Sequence, residues 1–253
     1  KAFGLYRFGY VEDLEKINAV NLYEQYRLLM ENCKIDIFIS GDIEEDTKQL
    51  VENNPYIQGL QERDPVYHTE NQKPEAKTGE VIEKMDVTQG KLVIGLEVNS
   101  QNEEQKYSVL VYNHILGGSA NSKIFQNVRE KANLAYAASS SYFRYKDNIF
   151  ISCGIEISNY QKALDLIKTQ IEDMKQGKFT EDELENAKKS IVAVIQTIDD
   201  EQDTGITYYF GQEISNHKNS IEEYMKKIEN IKRENILEVA SKVQINTIYF
   251  LRN

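Results

Sequence analysis

The stretch from Leu116 to Tyr136 constrains the fold of this chain more than any other segment. It opens on Gly117-Gly118, which predicts the end of a helix, because glycine readily adopts the left-handed conformation that terminates many helices. A short amphipathic helix is then predicted, with Arg129 at its far end. Tyr136 follows seven residues later, where an extended run begins. This spacing predicts that a guanidinium and a phenol converge on one place.

Four short motifs follow one another in this stretch. They are Leu116-Gly117-Gly118, Ser122-Lys123-Ile124-Phe125, Val128-Arg129-Glu130-Lys131 and Leu134-Ala135-Tyr136. In residue type and order they resemble the domain signature of the insulinase/pitrilysin family of zinc metallopeptidases, the inverzincins, which includes the mitochondrial processing peptidases. The resemblance implies a C-terminal half that lacks the zinc motif. It also implies that Arg129 and Tyr136 bind the substrate near the zinc of the other domain.

A simpler explanation of the same two residues stays open. Arg129 could pair only with a neighbouring carboxylate and Tyr136 could only pack, since structural ion pairs are more common than functional sites. In the family, the two side chains hydrogen-bond the substrate backbone or the developing oxyanion. A fixed guanidinium and a phenol suit that role, because preorganised donors in a closed chamber stabilise developing negative charge.

The zinc motif of that family is missing from this chain. Zinc is held there by H-x-x-E-H on a helix, where two imidazoles one turn apart bind the metal and the glutamate activates water. The three histidines, His68, His114 and His217, are scattered and do not have this spacing. We therefore expect no metal in this chain, zinc in a missing first module or a partner, and no activity of the chain alone. His114 is expected to be a core or rim histidine.

Composition excludes several other classes of protein. Thirty Lys and Arg against 41 Asp and Glu give a net charge of −11, which argues against nucleic acid as a partner because such binding needs a basic surface. No apolar run is long enough to cross a membrane, and no signal-peptide pattern opens the chain. Two isolated cysteines, Cys33 and Cys153, make no disulfide framework, so a cytoplasmic location is expected.

The chain is predicted to contain the tail of one module and the whole of a second. Residues 1–52 form the truncated first module, residues 53–79 a proline-containing linker, and residues 80–253 the second, metal-free module. The pattern of two helices followed by a strand occurs twice, and Ile17 and Ile228 occupy equivalent places 228 − 17 = 211 residues apart. A spacing of this size is that of a whole domain rather than of a short repeat.

Alternating apolar residues predict an α+β fold, a two-layer module with a mostly antiparallel sheet backed by helices. Predicted strands in the second module are 81–87 and 91–98 around a Gln89-Gly90 turn, 136–145, 148–157 and 247–251; another is predicted at 34–40. Thr180 and Glu183 form a capping box that begins a long helix. The aromatic run 206–210 is expected in a buried helix, and the acidic run 199–203 is expected to be a solvated helix end rather than a metal site.

Two functions fit these observations. The chain is either the C-terminal portion of a zinc metalloendopeptidase, which supplies Arg129 and Tyr136 to a zinc site outside this chain, or a non-catalytic peptidase-like subunit or scaffold that pairs with an active partner. The expected ligands and partners are a peptide or unfolded polypeptide, and the missing N-terminal module or a homologous subunit. Neither nucleic acid nor a membrane is expected to take part.

Overall fold

The computed structural model describes residues 6–59, 79–215 and 217–253. The chain divides into two compact units, Lys1–Gln72 and Lys73–Asn253. Much of the predicted linker, with His68, lies outside the described residues. Within the residues that the structure describes, no helix combines the length and the apolar character needed to cross a bilayer.

The first unit is a series of helices that bury little of their own apolar surface. Its helices are α1 (Val11–Leu14), α2 (Ala19–Asn32), α3 (Glu45–Glu52) and α4 (Pro55–Gln58). The large apolar side chains of α1 and α2, such as Leu14 and Leu22, are exposed. The strand predicted at 34–40 is wrong: the segment has no strand hydrogen bonding. Alternation marks an extended segment, but a strand also needs a neighbouring strand to complete its hydrogen bonds.

The second unit is built on a five-stranded mixed sheet. Its strands are β1 (Gly79–Lys84), β2 (Gly90–Glu97), β3 (Ala135–Phe143), β4 (Asn148–Ile155) and β5 (Gln244–Arg252). They lie in the order β1-β5-β2-β4-β3. The pair β1–β5 is parallel and the other three pairs are antiparallel. The predicted α+β class and mostly antiparallel sheet are therefore confirmed.

One predicted pairing in this sheet is wrong. The turn at Gln89-Gly90 does not make a hairpin of β1 and β2, because β5 lies between them. Ile94 of β2 pairs with Ile248 of β5, and Glu80 of β1 pairs with that same residue from the other side. The last strand of the chain thus enters the sheet beside strands that precede it by about 150 residues, a non-local contact that no local pattern reveals.

Helices cover one face of the sheet. They are α5 (Glu103–Leu116), α6 (Tyr160–Lys175), α7 (Glu181–Gln196), α8 (Gln202–Ser215), α9 (Ile221–Glu229) and α10 (Arg233–Lys242). The core joins the inward side chains of the strands to the apolar stripes of the helices, and Leu92, Ile94, Ile151 and Ile167 are completely buried. Each such side chain contributes about 1.5–3 kcal/mol through the hydrophobic effect.

Two local predictions about the helices have opposite outcomes. The capping box of α7 is confirmed: the Glu183 backbone N–H donates to Thr180 Oγ1 at 3.1 Å, and the Thr180 N–H donates to Glu183 Oε2 at 2.7 Å. The buried helix predicted for the aromatic run is wrong, because Tyr209 and Phe210 of α8 are exposed. The apolar residues of α8 occur on more than one face of the helix. Only one face packs against the core, so the apolar side chains on the other faces are exposed to solvent.

The predicted internal similarity has a counterpart in local geometry. At the start of α2 the Asn18 N–H donates to Asn21 Oδ1 at 2.9 Å, and at the start of α10 the Lys232 N–H donates to Asn235 Oδ1 at 2.9 Å. These two caps are 235 − 21 = 214 residues apart, three more than the spacing predicted from Ile17 and Ile228. A short helix precedes each one.

Candidate functional site

The two glycines of the signature stretch are required by close packing. Gly117 has φ −160°, an ordinary extended value, and Gly118 does not have a positive φ either, so the predicted left-handed helix end is wrong. A Cβ on Gly117 would lie 2.6 Å from Ser140 Oγ and 2.9 Å from the Ser140 backbone nitrogen. A Cβ on Gly118 would lie 2.9 Å from the Cα of His114. Gly117 therefore lets the end of α5 lie directly against β3, and Gly118 lets the chain pass closely over the last turn of α5.

A buried polar contact fixes this junction. Ser140 Oγ donates to Asn113 Oδ1 at 2.7 Å, and the Ser140 backbone N–H donates to the Gly117 carbonyl at 2.8 Å. Asn113 and Ser140 are both buried, so losing either partner would leave a polar group without a hydrogen bond in the core. Sequence reasoning missed this pair; its only signal is a polar residue at a core position of each element.

Arg129 lies on a seven-residue π-helix, Phe125–Lys131. π-Helical turns are rare and often occur at functional sites. Val128, on the same element, is completely buried. Asn127 donates through Nδ2 to Gln170 Oε1 of α6 at 2.6 Å, and Gln170 is itself buried. The backbone that carries Arg129 is thus held to the core on one side and to α6 on the other.

The guanidinium of Arg129 is only lightly engaged within the protein. Its Cζ lies 4.5 Å from the centroid of the Phe125 ring. Its Nη1 lies 3.6 Å from Oε1 of Glu130, and both side chains are well exposed, at 40% and 50%. An exposed ion pair of this length contributes little, typically below about 1 kcal/mol. The ring holds the guanidinium in place and leaves its N–H donors accessible to solvent.

Tyr136 lies at an irregularity near the start of the edge strand β3. Ala135 pairs with Ile155 of β4 and Ala137 pairs with Gly154, so Tyr136 is the extra residue of a β-bulge. Its side chain is 63% exposed. In the part of the chain that the structure describes, its hydroxyl has no hydrogen-bond partner. A bulge of this kind redirects a side chain and leaves it free to contact something outside the unit.

A tight turn joins the π-helix that carries Arg129 to the strand that carries Tyr136. Asn133 adopts a left-handed conformation with φ 51°, and the Leu134 N–H donates to the Val128 carbonyl at 3.0 Å. The two functional candidates therefore stand on consecutive elements joined by one tight turn. Among the described residues, no hydrogen bond or ion pair joins their side chains to each other.

A second cluster, which sequence reasoning missed, lies at the other end of β3. Arg144 Nη2 is 3.1 Å from Oε2 of Glu103, and its Cζ lies 4.5 Å from the centroid of the Tyr107 ring. Lys106 also donates to Glu103. Burial alone would raise the pKa of Glu103, but the hydrogen bonds from Lys106 and Arg144 outweigh burial and lower that pKa. The cluster links the β3–β4 hairpin to α5 and has a structural role.

The side chains that could bind a metal are dispersed in the described structure. Over residues 6–59, 79–215 and 217–253, no three His, Cys, Asp or Glu side chains come together in a group that could hold a metal ion. His114 lies on α5; burial lowers its pKa, and its Nε2 has no hydrogen-bond partner in the described structure. His217 lies beside Glu103, with 3.6 Å between Nε2 and Oε1. The described residues therefore do not fit a zinc site.

Comparison with known proteins gives the family. A family model described as "Peptidase M16 inactive domain" matches residues 16–191, which is more than half of the chain. The "Probable inactive metalloprotease YmfF" of Bacillus subtilis is 32% identical over 253 residues, covering 99% of this chain and 59% of that protein. The "Uncharacterized zinc protease YmxG" of the same organism is 32% identical over 122 residues, 47% of this chain and 30% of that protein.

Solved structures have the same fold. A conserved protein from Enterococcus faecalis V583 superimposes with a TM-score of 0.83 at 27% identity, over 97% of this chain and 58% of that one. A protease from Helicobacter pylori gives a TM-score of 0.70 at 18% identity, over 84% of this chain and 53% of that one, and shows the fold alone. The chain thus spans little more than half the length of these proteins. Because the family model matches most of the chain, this chain belongs to the peptidase M16 inactive-domain family, as the resemblance of its signature stretch to the insulinase/pitrilysin peptidases predicted.

Proposed function

We propose that this chain is a non-catalytic, peptidase-like module that binds an extended or unfolded polypeptide and works beside a second module or subunit of the same family. The observation that carries the proposal is the similarity, along 99% of the chain, to a relative whose name calls it an inactive metalloprotease. The match to an inactive-domain model supports the same conclusion.

The geometry of the signature stretch supports polypeptide binding. Arg129 offers N–H donors and Tyr136 offers an O–H, groups suited to peptide carbonyls. Both side chains are exposed, and their supporting backbone is fixed by the π-helix and the bulge. The Arg129 guanidinium, which rests on the Phe125 ring, loses little conformational freedom when it binds a ligand.

The face of the sheet that the helices of the second unit leave uncovered supports the same proposal. Near Tyr136 the exposed side chains of this face are small, with Ala137, Ser139 and Ser141 on β3 and Ser152 on β4, whereas Phe143 is exposed at the far end of β3. Tyr136 and Ala137 are both exposed, as expected where a bulge puts two consecutive side chains on one face. Small side chains let an extended chain approach a sheet closely, so this face can take a peptide of varied sequence.

A second candidate function shares the same site. In an active zinc endopeptidase, Arg129 and Tyr136 would orient the scissile peptide and donate hydrogen bonds to its carbonyl oxygen, while zinc outside this chain would supply the activated water. The relative named as an uncharacterized zinc protease favours this alternative. In either case the proposed partner is a module or subunit with the same fold, and the ligand is a peptide or unfolded polypeptide.

A cytoplasmic location belongs to the same proposal. It rests on Cys33 and Cys153, the two cysteines of the chain, which are not joined to each other by a disulfide. Structural disulfides are typical of proteins from oxidising compartments, and this chain has none between its two cysteines. Fractionation of cells that produce the tagged protein would test the location directly.

The test of the function uses the full-length protein in its native assembly. Binding of a fluorescein-labelled, reduced and alkylated casein is measured by anisotropy, and its hydrolysis is followed on the same samples. We expect binding without hydrolysis by the assembly, and a several-fold weaker affinity for Arg129→Lys and Tyr136→Phe, which remove the planar fork and the O–H donor.

Two matched controls sharpen this test. Arg27→Lys on α2 and Tyr209→Phe on α8 make the same chemical changes at exposed positions outside the signature sequence. Unchanged affinity in Arg129→Lys and Tyr136→Phe would remove the binding role. Zinc-dependent hydrolysis that falls in those two variants, and not in the controls, would establish the second candidate instead.

A further inference from the structure

A cavity of about 610 Å³ lies among four helices of the second unit. Its lining includes an aliphatic wall, formed by Leu110 of α5 and by Ile191, Val194 and Ile195 of α7. The lining also contains two aromatic rings, Tyr208 of α8 and Tyr224 of α9. Cavities of about 300–1,000 Å³ with mostly apolar walls and a few polar groups are typical of small-molecule sites.

The aromatic wall is fixed before any ligand enters. The rings of Tyr208 and Tyr224 are stacked, 6.1 Å between centroids and 8° from parallel. The Tyr208 hydroxyl donates to the Asn219 carbonyl at 3.0 Å. Tyr145 donates to the Gly211 carbonyl at 3.0 Å and so holds α8 to the β3–β4 hairpin. The cavity is therefore a preformed feature of the helical layer.

The mouth of the cavity is acidic. Among the described residues that line the cavity, only Asp203 and His114 have acidic or basic side chains. Asp203 lies in the first turn of α8. It belongs to the run 199–203, and no salt bridge of this run occurs within the described part of the chain. Burial lowers the pKa of His114, so this side chain is neutral near pH 7 and adds no positive charge to the wall.

We propose that this cavity binds a small cationic amphiphile, with its alkyl or aryl body against the aliphatic wall and its ammonium group beside Asp203. The inference is independent of polypeptide binding at Arg129 and Tyr136, because it rests on different residues of different helices. The exposed hydroxyls of Thr204 and Thr207 supply acceptors for the ammonium N–H groups at the same mouth. Carboxylate ligands are disfavoured, because no basic side chain lines the cavity in the described residues.

The experiment compares three probes of equal chain length on the full-length protein, below their micelle concentrations. They are decylammonium, decanol and decanoate, titrated by isothermal calorimetry and checked by thermal shift. We expect decylammonium to bind about tenfold more tightly than decanoate, with the difference shrinking as salt is added, because the Asp203 charge is close to solvent. Equal affinity for all three probes, or no binding of decylammonium, would overturn the proposal.

Three variants locate the effect. Asp203→Asn should remove the preference for decylammonium over decanol, whereas Glu213→Gln, a charge neutralisation near the other end of α8, should leave it intact. Thr207→Trp should block the cavity from an exposed position without disturbing the core, and should abolish binding of decylammonium. Full binding to Thr207→Trp, or a preference kept in Asp203→Asn, would place the probe elsewhere. Loss of decylammonium binding as the protein self-associates would show that a second copy covers this face, and would equally contradict the proposal.

Discussion

At the scale of single residues, the signature stretch is identifiable from the sequence, but the physical role of its glycines is not. Gly117 and Gly118 suggest a left-handed helix end, since that is the common use of glycine after a helix. The actual role of Gly117 depends on Ser140, 23 residues further along the chain, whose atoms occupy the space of a Cβ, and that of Gly118 on the backbone of His114. Arg129 and Tyr136 are both exposed on fixed backbone, and their functional role stays a prediction.

Replacing Gly117 by alanine should destabilise the protein by about 1–3 kcal/mol, because the new methyl group overpacks the junction of α5 and β3. The free energy of unfolding is measured by urea denaturation of the full-length protein. Gly79→Ala in β1 is the matched control, since nothing lies within 4 Å of the added Cβ there. Equal stability of Gly117→Ala and the wild-type protein would show that the two elements separate easily.

At the scale of secondary structure, sequence patterns predict those elements that are determined by interactions between residues close together in the chain. The strands of the second unit and the capping box at Thr180 follow from side-chain alternation and from hydrogen bonds between near neighbours in sequence. The insertion of β5 between β1 and β2 does not follow, because it depends on contacts far apart in the chain. The segment 34–40 has the alternation of a strand but no neighbouring strand in the described structure, and the π-helix has no distinct period in its sequence.

The cluster around Glu103 gives a prediction about pH. Folding lowers the pKa of the Glu103 carboxyl below its ordinary value of 4.5. The ionised carboxylate therefore stabilises the folded protein fully above pH 4.5, and this stabilisation is lost as the pH falls through the folded-state pKa. Glu103→Gln should therefore be less stable than wild type near neutral pH, with the difference narrowing in acid.

Chemical denaturation of both proteins at several pH values measures this effect. Glu222→Gln, in the first turn of α9, serves as the control because it neutralises an exposed carboxylate outside the cluster. A stability difference for Glu103→Gln that stays constant down to the acid transition would assign the loss to packing rather than to charge.

At the scale of the whole molecule, the two units differ in how well each is packed. The second has a continuous core between sheet and helices, whereas the helices of the first leave their apolar side chains exposed. The family and the fold class were predictable from one signature stretch and the strand pattern. The cavity among α5, α7, α8 and α9 was not, because it forms only when α5 packs beside three helices far along the chain, and its acidic mouth resembles an ordinary solvated helix end.

The central claim is that a polypeptide binds beside Tyr136 and Arg129, and site-specific photocrosslinking tests it most directly. p-Benzoylphenylalanine is placed at position 136, and at position 209 as an exposed aromatic control outside the signature stretch, in the full-length protein within its native assembly. Illumination with the labelled casein should yield a crosslink from position 136 and not from position 209. A crosslink of equal yield from both positions, or none from position 136, would contradict the claim.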